Sequence, residues 1–269
     1  MVVFPNAKIN LGLNVVERRP DGFHNLETVF FPVSLSDVLE VLPGSRTQLE
    51  ITGIQVDGSM ENNLVFRAWR FLSDDFGIPP VHIYLHKVIP MGAGLGGGSS
   101  DGALMLKLLN QLFELHLNPE QLKDYAVRLG ADCPFFIDNL PSFATGIGDR
   151  LTPLVMNIGS LKMVIVKPPV SVNTGMAYKA IIPTHPVKSL AELVCQPLET
   201  WRGGLVNDFE KPVFEMFPEI SAVKEKLYEM GAVYSAMSGS GSAVFGLFNP
   251  IPEGLHEIFG EDYFIWIEE

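Results

Sequence analysis

The chain has 269 residues, 47% of them hydrophobic, enough to bury a sizeable core in one large or two modest domains. A net charge of -12 argues against a general nucleic-acid or membrane-surface binder, since both need a basic face, so any polyanionic ligand must meet a local basic pocket. The two cysteines, Cys133 and Cys195, stand far apart without metal-ligand spacing; neither a disulfide framework nor a zinc site is indicated, and a reducing cytoplasm fits best.

Met1-Val2-Val3-Phe4-Pro5 runs straight into patterned sequence without the features of a signal peptide. The 25 Gly and 20 Pro break every apolar run before the roughly 18 residues a membrane span needs. A soluble, cytoplasmic protein with no membrane or nucleic-acid partner is expected. From Ala7 to Arg18, Ile9, Leu11, Leu13 and Val15 alternate with Lys8, Asn10, Gly12 and Asn14, the period of a strand with one apolar face. Further strands are expected over 28–33, 38–42 and 48–54, and a helix from Asn62 or Asn63 to about Phe76, ending near Gly77 and Pro79.

The most informative segment comes next. An alternating run, Val81 to His86, leads into Pro90-Met91-Gly92-Ala93-Gly94-Leu95-Gly96-Gly97-Gly98-Ser99-Ser100-Asp101 and then a helical pattern in which Leu104, Leu108 and Leu112 share a face with Met105, Leu109 and Phe113. Glycines let the backbone take positive φ and approach a ligand that any Cβ would hold off, so a curled loop can aim several N–H groups at one anion. Ser99 and Ser100 are expected to cap the helix, whose positive dipole end would face the same anion. The bland alternative, a Gly/Ser linker, seldom joins a strand directly to a long amphipathic helix. The spacing is not that of the Walker loop, because no lysine follows Gly98, and Gly92-Ala93-Gly94-Leu95-Gly96 is a weak look-alike of the dinucleotide fingerprint.

Asn118-Pro119-Glu120 reads as the start of a helix ending at Leu129-Gly130, followed by Ala131-Asp132-Cys133-Pro134 as a turn before the apolar run Phe135-Phe136, taken as a helix-to-strand turn. The text from Leu151 to Gly159 is loop-like, and a fresh buried strand is expected over 162–167. A domain boundary is set there, giving domains 1–155 and 156–269. The second half suggests helices over 174–181, 190–195, 219–230 and 253–259, and strands within 231–237, over 243–248 and through Phe264, Ile265 and Trp266, with a turn at Ser238-Gly239-Ser240-Gly241. The irregular mixture favours an α+β fold over a doubly wound parallel sheet.

Asn6-Ala7-Lys8-Ile9-Asn10-Leu11, Pro90 to Asp101, and Gly231-Ala232 through Ser242 resemble, in that order, the three motifs of the GHMP kinases, small-molecule kinases related to galactokinase, homoserine kinase and mevalonate kinase. Asp21-Gly22-Phe23-His24, Gly130-Ala131-Asp132-Cys133-Pro134 and Asn207-Asp208-Phe209-Glu210 are similar to the branch that acts on the cytidyl diphosphate of methylerythritol. The resemblance implies a two-domain GHMP kinase fold, N-terminally like ribosomal protein S5 domain 2 and C-terminally ferredoxin-like, with the active site between the domains. It also implies ATP-dependent phosphorylation of the substrate's 2-hydroxyl in non-mevalonate isoprenoid biosynthesis. Magnesium is expected with ATP, no protein ligand standing out beyond Ser100 as a candidate; a homodimer is compatible with the resemblance.

Phosphoryl transfer asks for positioning, charge stabilisation and a group to take the hydroxyl proton. By resemblance Asp132 is that base or orienter and Lys8 the charge stabiliser. Taken alone, Asp132 would be an ordinary turn residue and Lys8 a solvated strand lysine. The resemblance assigns Asn63, Lys87, Pro90, Met91, Gly92, Ala93, Gly94, Leu95, Gly96, Gly97, Gly98, Ser99 and Ser100 to ATP. It assigns Asn10, Phe23, His24, Asp132, Thr174 and Tyr178 to the substrate. Phe23 stands where the family commonly has tyrosine; it would stack on cytosine, with Tyr178 as the opposing wall, although both aromatics could instead be core. Ser242 and Ala243 depart from the family's Pro-Thr pair. The rivals are another GHMP activity of the homoserine or mevalonate type, disfavoured by Asp21-Gly22-Phe23-His24, and a non-catalytic nucleotide-binding module, disfavoured by the retention of Lys8 and Asp132. A nicotinamide-dependent oxidoreductase rests on the look-alike alone.

Overall fold

Alternation after Pro5 produces one long strand. In the computed structural model, which describes residues 1–156 and 158–268, β1 (Val2–Val3) precedes β2 (Asn6–Arg18) and β3 (His24–Ser36). Only Asp37 separates β3 from β4 (Val38–Pro43), and β5 (Gln48–Gly53) follows. Helix α1 (Leu64–Phe76) starts on Asn63, whose side chain accepts the Val65 N–H, and stops on a left-handed Gly77. Strand β6 (Val81–Lys87) runs into the glycine loop, and α2 (Gly97–Leu112) leaves it. Helix α3 (Pro119–Leu129) opens with a reciprocal capping box between Asn118 and Gln121, and α4 (Phe135–Asp138) is one short turn.

The remainder comprises β7 (Ser142–Thr145), β8 (Arg150–Pro153), β9 (Lys162–Lys167), α5 (Thr174–Ala180), α6 (Leu190–Leu193), α7 (Trp201–Gly204), α8 (Glu210–Met216), α9 (Pro218–Glu229), β10 (Tyr234–Met237), β11 (Val244–Phe248), α10 (Leu255–Phe259) and β12 (Phe264–Ile267).

The chain forms two compact units. The first takes Met1–Lys8, Pro32–Met91 and Gly96–Leu140. Its sheet has the order β1-β4-β6-β5, in which β6 pairs antiparallel with β4 and parallel with β5. Leu39, Val41, Ile83 and Leu85 of that sheet and Val65, Leu72, Met105 and Leu109 of α1 and α2 are almost completely buried. The second unit takes Ile9–Phe31, Gly92–Leu95 and Pro141–Glu269. There β9, β10, β11 and β12 make an antiparallel sheet of order β10-β11-β9-β12, with helices between β9 and β10 and α10 between β11 and β12. That is the β-α-β-β-α-β arrangement of a ferredoxin-like domain. The α+β expectation holds.

Four expectations change. Ser99 and Ser100 do not cap α2: Gly96, left-handed at φ +72, occupies the N-cap, and the serines fall inside the first turn. The apolar run Phe135-Phe136 is helical, so Asp132 lies in a helix-to-helix turn. The loop-like text after Arg150 contains β8, paired antiparallel with β7. Finally, the polar face of β2 is not solvated. Residues 7–13 are buried on both faces because the polar side chains find partners: Asn10 Nδ2 donates to Thr28 Oγ1 at 2.8 Å, and Thr28 in turn donates to the Gly12 carbonyl at 2.6 Å. Among the described residues no helix is long and apolar enough to cross a membrane.

Candidate active site

In the first unit, Lys8 near the start of β2 is only 4% exposed. Its Nζ lies 3.5 Å from Asp132 Oδ2, whose side chain is 35% exposed. Burial lowers the lysine's pKa, and the charge and hydrogen bond of Asp132 pull the other way. The carboxylate is positioned by a tight turn in which the Cys133 N–H donates to the Gly130 carbonyl at 3.1 Å. A fixed, buried ammonium thus faces an accessible carboxylate, a pair able to orient a hydroxyl and offset anionic charge beside it. Gly96 rests directly on this lysine. A Cβ at Gly96 would lie 3.0 Å from Phe136 Cζ and 3.1 Å from Lys8 Cγ.

Along the loop, Gly92, Gly94 and Gly96 have φ of +60, +76 and +72, so the chain curls where L side chains would strain it. Ala93 and Leu95 between them are each 1% exposed, which leaves backbone rather than side chains for a ligand. No side chain caps α2, and its first intrahelical bond is Ser100 N–H to the Gly96 carbonyl at 2.9 Å, so the amides of Gly97, Gly98 and Ser99 precede the ladder. Ser100 Oγ is buried and has no hydrogen-bond partner among the described residues. Beside the start of α2 opens a cavity of about 450 Å³ with apolar walls from Leu49, Ile51, Leu64 and Leu85. Asn63, Lys87, Met91 and Gly98, all assigned above to ATP, line it together. Pro90 is buried and does not line it.

Lys87 holds a surprise. Its ammonium, 2% exposed, is bound by two carboxylates, Asp37 Oδ2 and Asp101 Oδ2, the latter at 2.6 Å. Burial, opposed by Lys87 and helped by Asp37, pushes the Asp101 carboxyl up to about 7. Asp37 escaped the sequence reading altogether; the only available signal was one acidic residue between two apolar strand runs.

In the second unit, Asn10 lies two residues beyond Lys8 on β2, and Ser238 Oγ donates to the Gly94 carbonyl at 2.8 Å and reaches Asn10 Oδ1 at 3.4 Å. The turn after β10 is held from below. Asn207 Nδ2 donates to the carbonyls of Met237 and Gly239, each at 2.8 Å, and Glu210 Oε1 accepts the Met237 N–H at 2.9 Å. Asn207 and Glu210 carried the resemblance but were given no role from sequence. A Cβ at Gly94 would fall 1.9 Å from the Ser238 carbonyl oxygen, a clash with backbone that no rotamer relieves. Gly94→Ala is therefore expected to lower kcat/KM on the order of 10²-fold, as misplacements near 1 Å do; steady-state kinetics on variant protein with intact circular dichroism checks it.

Phe23, 61% exposed, is carried at the tip of the β2–β3 hairpin, where its N–H donates to Asp21 Oδ1 at 3.1 Å. His24 stacks on Tyr178 with centroids 4.9 Å apart and planes at 21°, and Tyr178 meets Phe209 edge-on at 4.8 Å. His24 and Tyr178, both assigned above to the substrate, thus stack on one another. Thr174, at the start of α5, shares a 2.9 Å hydrogen bond with Ser240 Oγ.

Residues 63–143 match the model of the GHMP kinases N terminal domain and residues 187–254 that of the GHMP kinases C terminal domain. The chain is also 53% identical over 254 residues, 93% of each chain, to the 4-diphosphocytidyl-2-C-methyl-D-erythritol kinase of Bacteroides fragilis. The chain belongs to the GHMP kinase family. A crystal structure of 4-(cytidine 5'-diphospho)-2C-methyl-D-erythritol kinase superposes on this GHMP kinase with a TM-score of 0.81 at 35% identity, covering 100% of this chain and 98% of that one. The mevalonate kinase of Methanococcus jannaschii shares the fold, with a TM-score of 0.74 over 99% and 97% of the two chains, at 13% identity. Within the family, similarity therefore favours the cytidyl-substrate branch over the mevalonate and homoserine alternatives.

Proposed function

We propose that this GHMP kinase transfers the γ-phosphoryl group of ATP to the 2-hydroxyl of 4-diphosphocytidyl-2-C-methyl-D-erythritol. The observation that carries the chemistry is the 3.5 Å pairing of Lys8 with Asp132 directly beneath Gly96. In this reading Asp132 orients the acceptor hydroxyl and takes its proton, and Lys8 offsets charge that builds on the transferring group. The backbone of residues 92–99 holds the phosphates, and the cavity lined by Asn63, Lys87 and Met91 holds the adenosine. Asn10 and Thr174 bind the acceptor. His24 and Phe23 face the cytosine, with Tyr178 backing His24.

Magnesium is proposed to arrive with the nucleotide, and the buried Ser100 hydroxyl, unpaired among the described residues, is the candidate oxygen that would reach it. When bound, that ion would supply positive charge to offset the charge of the phosphates during transfer. The product feeds non-mevalonate isoprenoid synthesis in the cytoplasm, and a homodimer is the assembly proposed.

A coupled ADP-release assay with a panel of acceptors tests the assignment. The cytidyl substrate is expected to be turned over and mevalonate and homoserine to be inert; the reverse order would refute it. Stacking on an aromatic ring contributes about 1–3 kcal/mol per base. Phe23→Ala is accordingly expected to raise KM for the cytidyl substrate about 10- to 100-fold and leave KM for ATP alone. Phe23→Tyr restores it. Equal KM values in wild type and Phe23→Ala would remove Phe23 from the base site.

A further inference from the structure

We propose that Asp37 and Asp101 are positioning residues for nucleotide binding, acting through Lys87 to clamp the two ends of the glycine loop. The proposal rests on the ATP reading of the loop given above. The loop itself is poorly suited to hold its own shape, since glycines at 92, 94 and 96 carry the largest backbone entropy of any residue. A cradle of amides binds an anion well only when its donors are already aimed before the anion arrives. Something must restrain the chain on either side.

The end of β6 is restrained by Asp37. Its Oδ1 accepts two successive backbone N–H groups, Val88 at 2.5 Å and Ile89 at 2.8 Å, while Oδ2 takes the Lys87 ammonium. The start of α2 is restrained by Asp101, whose Oδ2 accepts from the same ammonium at 2.6 Å. One lysine therefore ties the strand that enters the loop to the helix that leaves it. Asp37, Lys87 and Asp101 are 0%, 2% and 3% exposed, so the ties work in a low dielectric without competing water.

The geometry allows little slack. A Cβ on Gly97 would stand 3.4 Å from Lys87 Nζ and 2.9 Å from Ile89 Cγ2, so the first residue of α2 sits directly against the clamp. Asp101 also lines the adenosine cavity with Lys87 and Gly98, and its Oδ1 has no hydrogen-bond partner among the described residues. The cluster carries more carboxylate than a lone ion pair needs for stability. A single lysine between two buried acids is an expensive way to build a core. It is explicable where the return is a loop held in one shape.

The test uses the full-length enzyme and three variants, Asp101→Ala, Asp101→Asn and Asp37→Asn, each checked for folding by circular dichroism and thermal melting. Calorimetric Kd for a non-hydrolysable ATP analogue is measured beside KM for both substrates. Asp101→Ala is expected to weaken analogue binding and raise KM for ATP about tenfold or more, with KM for the cytidyl substrate within about twofold. Asp101→Asn keeps an acceptor for Lys87 and restores most of the affinity, whereas Asp37→Asn, which turns an amide donor toward the ammonium or the backbone N–H groups, does not. Amide hydrogen exchange at 92–98 is expected to quicken in Asp101→Ala.

Folded Asp101→Ala with wild-type analogue affinity and unchanged exchange in the loop would overturn the proposal. Should Asp101→Ala not fold, full analogue affinity in folded Asp37→Asn would overturn it equally. A wild-type enzyme that binds the analogue but does not phosphorylate the cytidyl substrate would count against the proposed reaction instead, and the clamp would still be read from analogue binding.

Discussion

Asp132→Asn is expected to lower kcat by roughly 10²- to 10⁴-fold, the usual contribution of a positioned general base, while KM for ATP changes by no more than about threefold. The amide is isosteric and still accepts from Lys8, so the turn between α3 and α4 keeps its shape and the 35% exposed side chain adds no buried unpaired charge. What the amide cannot do is take a proton from the acceptor hydroxyl. Steady-state kinetics with each substrate varied in turn separates the outcomes. A kcat within tenfold of wild type would mean that the hydroxyl loses its proton elsewhere and that Asp132 is the turn residue it superficially resembles.

Lys8→Met is the second large effect, and its signature is the separation of activity from stability. Removing the ammonium takes away a charge directed at the transferring phosphoryl group, for which losses on the order of 10²- to 10³-fold in kcat are typical. Yet Lys8 is 4% exposed and its partner 35%, so an apolar replacement of similar length removes a desolvated charge and leaves a carboxylate that water can still reach. Replacing a buried ion by a well-packed apolar side chain is often neutral or stabilising, so the melting temperature should not fall. A dead but fully stable Lys8→Met enzyme supports the catalytic assignment, and a variant that melts early with proportionate loss of activity contradicts it. Burial also lowers the Lys8 pKa, so the lysine loses its proton at a lower pH than a solvated one. Wild-type kcat should accordingly decline on an alkaline limb that begins below the ordinary lysine range, and Lys8→Met should lack that limb.

Local grammar made much of the molecule legible. The Asn118-Pro119 start of α3, the left-handed Gly77 after α1, the alternation of β2 and the strand-loop-helix order around the glycines all follow from neighbouring residues, and they stand where the pattern puts them. Where two local rules competed, sequence failed: a serine is a better cap than glycine in general, but Gly96 already occupied the left-handed position from which α2 departs. Short elements such as α8 and β8 carry too few residues to show a period.

Long-range chemistry was the least visible. Nothing near Asp37 in the chain announces Lys87 or Asp101, separated from it by 50 and more positions, and the burial of the polar face of β2 depends on partners as distant as Asp132. The candidate site divides in the same way. Its glycines and the exposed Phe23 were readable, whereas the stacking of His24 on Tyr178 and the anchoring of Met237 and Gly239, either side of Ser238, by Asn207 and Glu210 depend on tertiary packing.

The central claim is that this chain moves a phosphoryl group onto one particular hydroxyl, and phosphorus NMR of a reaction containing ATP, magnesium and 4-diphosphocytidyl-2-C-methyl-D-erythritol reads that event directly. The account predicts a new phosphomonoester resonance coupled to the carbon that bears the 2-hydroxyl, appearing in step with ADP and growing at least about a hundredfold more slowly with Asp132→Asn. ADP formed without that resonance, or a resonance that persists undiminished in the Asp132→Asn enzyme, would contradict it.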